Sequence, residues 1–115
     1  MAKKEEVDDF LRDFQQKKKI YGIRFRDDRD KNLQTLLNLE ISSNFRETII
    51  DTLSHLDYIE GPLTDSLNCG APLWVFGKHV KKKEIYIKIS IGTPNRNVIC
   101  ISFHEANHKF NYPFK

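Results

Sequence analysis

Four side chains able to handle phosphates and protons fall at alternate positions of two neighbouring segments. Tyr86 and Lys88 lie in residues 85–91, Ser102 and His104 in residues 98–104. Both segments alternate without a fault, the period of a half-buried β-strand. Between them Gly92-Thr-Pro-Asn-Arg-Asn97 is a strong turn signal that folds one strand back on the other. On that period Ile85, Ile87, Ile89 and Ile91 share one face, and Ile99, Ile101 and Phe103 join it opposite the helices. Tyr86, Lys88 and Ser90 then share the other face with Cys100, Ser102 and His104. His104, with an ordinary pKa of about 6.5, can serve as base or acid at neutral pH. Tyr, Lys and Ser beside it can hold a phosphate while charge builds on it. Any half-buried sheet also turns polar residues to water, so alternation alone leaves both readings open.

His104-Glu105-Ala106-Asn107-His108 matches H-E-x-x-H, in which two His one helical turn apart bind zinc and the Glu is the general base. That chemistry needs a helix, yet His104 closes a strand pattern. The seven residues after His108 hold no His, Asp, Glu or Cys to supply a third ligand. A zinc hydrolase using His104, Glu105 and His108 therefore ranks last among the readings, and neither a metal nor a cofactor is expected. No G-x-x-x-x-G-K-[ST] or G-x-G-x-x-G occurs, so nucleotide triphosphate and dinucleotide chemistry lack support. Asp27 and Asp28 sit among Arg and Lys, where local ion pairing accounts for them. Trp74 and Phe76 can stack on bases, but an aromatic pair on a strand also suits a core.

These residues need elements to position them. Val7, Phe10, Leu11 and Phe14 recur at i, i+3, i+4 and i+7, which predicts an opening helix over residues 3–18. Residues 20–25 read as a short strand with Ile23 and Phe25 alternating against Arg24 and Arg26, and residues 26–31 as a charged turn. Leu33, Leu36 and Leu37 suggest a second helix. Ser42 or Ser43 can cap a third, along which Phe45, Ile49, Leu53 and Leu56 line up. Residues 57–72, with two Gly and two Pro, read as loop. Residues 73–80 are a candidate strand and Lys81 to Lys83 a solvated turn. The expected fold is α+β, a single domain over residues 1–115 with N-terminal helices packed on one face of a C-terminal antiparallel sheet.

A length of 115 residues leaves room for one modest core, which 39% hydrophobic residues can fill. Eight Phe, four Tyr and one Trp exclude disorder as a global description. No stretch approaches the roughly 20 apolar residues of a membrane span. MAKKEEVDDF turns acidic where a signal peptide carries its apolar stretch. Cys69 and Cys100 share no metal-binding spacing, so two reduced thiols in a cytoplasmic protein are expected. Charge is uneven: residues 32–70 carry one basic and six acidic groups, residues 71–115 eight basic and two acidic. A basic C-terminal third suits a polyanion or an acidic partner protein.

WVFGK, KEIYIKISIG, VICISFH and the closing NYPF, with FRDDRDKN and LDYIEGPL upstream, resemble MqsR-type toxins of bacterial type II toxin–antitoxin systems. The resemblance covers nearly the whole chain. It implies a RelE-like α+β toxin that cleaves single-stranded messenger RNA without a metal and is neutralised by a cognate antitoxin. Carried over, the strand Tyr is Tyr86, the Lys two residues later Lys88, and the basic residue after Ser-Phe His104. Two of the family's polar positions do not carry over: its loop Lys falls near Glu60 and its strand Gln at Val75. Lys78, Arg96, Ser102 and Trp74 are further candidates for holding the RNA. The alternative is a non-catalytic RNA- or protein-binding module on the same fold.

Overall fold

Helix α1 (Lys4–Tyr21) forms where the apolar stripe predicts it and runs three residues further. Ile20 and Tyr21, expected in the strand, belong to this helix. Gly22 ends it: its φ of 80° suits glycine, and its N–H returns to Lys18 O at 2.8 Å. Strand β1 (Ile23–Phe25) follows, then α2 (Asp30–Leu39), α3 (Ser43–Asp51) and a 3₁₀ turn (His55–Asp57). Ser42 caps α3, its Oγ accepting from Phe45 N–H. Four strands complete the chain: β2 (Tyr58–Leu63), β3 (Leu73–Val80), β4 (Lys83–Ser90) and β5 (Val98–Glu105). This computed structural model describes residues 1–28, 30–65 and 70–115. Cys69, expected as a reduced thiol, and Arg29 of the charged turn lie outside the described residues. Among the described residues no helix is long and apolar enough to cross a membrane.

The fold is α+β with the helices N-terminal and four of the five strands after them, but the sheet is mixed rather than antiparallel. Its order is β1-β5-β4-β3-β2, with β1 parallel to β5 and the other pairs antiparallel. Strand β2 corrects the loop expected over residues 57–72. Gly61 and Pro62 disguise it, and Pro is tolerated because β2 is an edge strand with an irregular register. Val7, Phe10, Leu11 and Phe14 of α1 pack on Trp74, Phe76, Ile85, Ile87 and Ile89. Phe10 stacks on Trp74 with ring centres 4.6 Å apart.

Two helix faces differ from expectation. In α2 the buried residues are Asn32, Thr35 and Leu39, while Leu33 and Leu37 are exposed. Asn32 bonds the backbone of β5 beyond the end of β1. Its Nδ2 donates to Ile101 O at 3.0 Å and its Oδ1 accepts from Phe103 N–H at 3.0 Å. Thr35 Oγ1 accepts from Glu105 N–H. In α3 the buried side chains are Arg46, Ile49 and Ile50, while Phe45 is exposed; the helix ends before Leu53 and Leu56, and Leu56 is exposed in the 3₁₀ turn. Arg46 is fully buried, paired with Asp27 through both carboxylate oxygens and lying over the Phe25 ring at 3.8 Å.

A register shift between Lys88 and Ile89 also corrects the expected faces of β5. Ile87 pairs with Phe103 and Lys88 with Ser102, but Ile89 pairs with Cys100, leaving Ile101 as the extra residue. One extra residue reverses every side chain beyond it. Val98 and Cys100 are therefore buried in the core, and Ile99 and Ile101 lie half-buried on the opposite face.

Candidate functional site

Strands β4 and β5 set Tyr86 directly opposite His104, and Lys88 opposite Ser102. Cross-strand neighbours on one face stand close enough for their side chains to meet. The Tyr86 and His104 rings stack, centres 5.2 Å apart and planes 17° apart. Lys88 Nζ lies 5.6 Å from the Tyr86 ring centre, within cation–π reach. His104 Nδ1 sits 3.0 Å from Glu105 O. A carbonyl only accepts, so Nδ1 carries the hydrogen and Nε2 is the nitrogen able to take a proton.

Around His104 a shallow cleft of about 190 Å³ is lined by Lys31, Gln34 and Thr35 of α2, and by Glu105 and Asn107. Strand alternation cannot reveal the α2 contribution, because it depends on how α2 docks against β5. The C-terminal residues after β5 cross the same face. Phe110 packs against Tyr86 at 5.9 Å, and Tyr112 Oη donates to Glu84 Oε2 at 2.7 Å. Gly77, paired with Tyr86, makes room for them: a Cβ there would lie 2.5 Å from Tyr112 Oη and 2.9 Å from Phe110. Burial and then the Glu84 carboxylate push the Tyr112 phenol above its ordinary value. Sequence reasoning misses Phe110 and Tyr112 at the site; their one signal is aromatic spacing in a tail without a strand period.

The remaining candidates are placed differently. Ser102 is on the Tyr86 face but only 1% exposed. Trp74 is on the opposite face, buried against Phe10, so its aromatic surface serves the core. Lys78 pairs with Ile85 on the helix side, where its Nζ meets Asp57 at 3.0 Å. Arg96 is exposed in the β4–β5 turn, beyond the Ser90–Ile99 pair and at the other end of β5 from His104. Cys100, expected beside Ser102, is in the core, where burial pushes its thiol up to about 12 and removes it from chemistry at neutral pH.

His104 and Glu105 end a strand, and residues 106–109 are not helical, so the H-E-x-x-H match lacks the geometry that brings its two His together. The His108 ring instead packs edge-on against Phe110 at 5.5 Å. Among the described residues no group of three His, Cys, Asp or Glu side chains could hold a metal ion. Compared with known proteins, the chain matches no protein-family model, no curated protein and no solved structure.

Proposed function

We propose that this chain is a toxin-like endoribonuclease of RelE-like architecture that cleaves single-stranded messenger RNA in the cytoplasm and is neutralised by a cognate antitoxin. The observation that carries the reading is the stacked Tyr86–His104 pair with Lys88 beside it. RNA supplies its own nucleophile, the 2′-OH, so the protein needs to move protons and stabilise a phosphorane rather than activate water. His104 Nε2 takes the 2′-OH proton as the oxygen attacks phosphorus. The bond to the leaving 5′-oxygen breaks, and the His104 imidazolium returns its proton to that oxygen. Lys88 meets the charge that builds on the phosphate, and Tyr86 orients it. The basic C-terminal third supports an anionic substrate and an acidic inhibitor alike.

The test is incubation of purified protein with end-labelled single-stranded RNA in EDTA. Cleavage is expected to persist in the chelator. His104→Ala should lower its rate by about 10²–10⁴, and His108→Ala should change it little. Intact RNA with the unaltered protein would sink the enzyme reading. Two observations favour a non-catalytic binding module in that event: Ser102 is buried, and Phe110 covers one side of Tyr86.

A further inference from the structure

The reversed end of β5 creates a second cleft on the Tyr86 face of the sheet. It encloses about 210 Å³, room for one nucleobase, with Ile99 and Ile101 as an apolar floor and Ser90 and Thr93 beside them. Arg24 and Arg26 form one wall, and Asp65 reaches the cleft from the other side. The two arginines are not equivalent. Arg26 is held by Asp28 through two hydrogen bonds of 3.0 and 3.1 Å, and Asp65 adds to its field. Arg24 is exposed and makes no ion pair among the described residues. An apolar floor with a few polar groups and one cation without a direct ion pair, only in the field of Asp28, suits a flat ring carrying a phosphate. His104 and Ile99 are five positions apart on one strand, roughly 16 Å at about 3.3 Å per residue. A single nucleic-acid strand laid along β5 passes over both places.

We propose that this cleft is a second nucleotide subsite for the RNA strand that His104 addresses. The base rests on Ile99 and Ile101, and its phosphate meets Arg24. The proposal rests on the RNA reading above and adds to it where a neighbouring nucleotide is held. Because the cleft is separate from the proton-transfer groups, it governs affinity and not the chemical step.

The probe is a short single-stranded RNA of mixed sequence containing 4-thiouridine, measured for binding and for photo-crosslinks. Arg24→Gln should weaken binding about five-fold near 100 mM salt. It should also reduce the slope of log K against log salt by about 0.7, the change expected when one phosphate is no longer neutralised. Ile99→Thr, still β-branched, should weaken binding about three-fold with the slope unchanged. Crosslinks should fall on the peptide holding Ile99 and Ile101. If the unaltered protein binds RNA and His104→Ala abolishes cleavage, but both cleft variants bind normally and crosslinks avoid this peptide, the subsite is wrong and the RNA reading stands. If the unaltered protein binds no RNA, both fall. If the cleft variants instead lose only an acidic peptide such as polyglutamate, the cleft belongs to a protein partner and the proposal is overturned.

Discussion

Helix α1 meets the sheet through Val7, Phe10, Leu11 and Phe14, whereas α2 meets β5 through Asn32 and Thr35, and α3 reaches the β1–α2 turn through Arg46. The first contact is broad and tolerant of small shifts, because apolar burial has no direction. The second is directional: Asn32 holds a carbonyl and an N–H two residues apart, which fixes α2 against one register of β5. That difference matters for the candidate site. Lys31, Gln34 and Thr35 share a cleft with His104, so their positions depend on the polar fastening and not on the oily one. A molecule can draw most of its stability from one seam and the precision of its site from another.

Phe10→Ala should be the costliest change, about 3–5 kcal/mol in urea unfolding, since it empties the stack on Trp74. Arg46→Met should cost about 3 kcal/mol by leaving Asp27 without its partner, at the low end of that range because Asp27 is partly exposed. A neutral outcome would make the α3 contact interchangeable with apolar packing and erase the contrast. Asn32→Leu should cost about 2 kcal/mol by stranding two backbone groups of β5. RNA cleavage measured in the same variant sharpens the comparison: it should fall further than the Phe10→Ala variant's at equal folded fraction. Equal losses would mean that α2 is not positioned by Asn32.

The smallest effect concerns Lys18, which α1 directs to Asp51 and Glu47 of α3. Burial lowers its pKa, but the hydrogen bonds to Asp51 and Glu47 and the charges of these carboxylates together outweigh burial, and the net direction is upward. A raised folded value means that the stabilisation is complete below the unfolded value of about 10.4 and is lost as pH rises through the folded one. The stability gap between the native chain and Lys18→Met should therefore be constant from pH 7 to about 9.5 and close above about 10.5. A gap that grows with alkalinity would reverse the sign.

Strands β3, β4 and β5 and helix α1 are legible in the sequence because their apolar residues recur at one period and the period matches what they bury. That Tyr86, Lys88 and His104 share a face follows from the same alternation. Strand β2 is hidden by Gly61 and Pro62, which read as a break but are tolerated at an edge. The faces of α2 and α3 mislead because polar residues point inward there, and no periodicity rule anticipates Asn32 or Arg46 as the buried members. The reversal in β5 is unreadable for another reason. Val98 and Cys100 are as ready for a core as Ile99 and Ile101, so the pattern fits two registers and only the partner strand decides between them.

Asn32 also bears on what other copies of this chain can do to it. Beyond Cys100 the outer side of β5 has no neighbouring strand among the described residues, and its N–H and C=O groups would otherwise wait for one. An unsatisfied stretch of that kind recruits strands from other molecules and seeds aggregation. By taking up the Ile101 carbonyl and the Phe103 N–H, one side-chain amide counterfeits the missing strand along this part of the β5 edge. Asn32, with Thr35 taking the Glu105 N–H and α2 lying along the same edge, leaves this stretch of β5 nothing to offer an incoming strand.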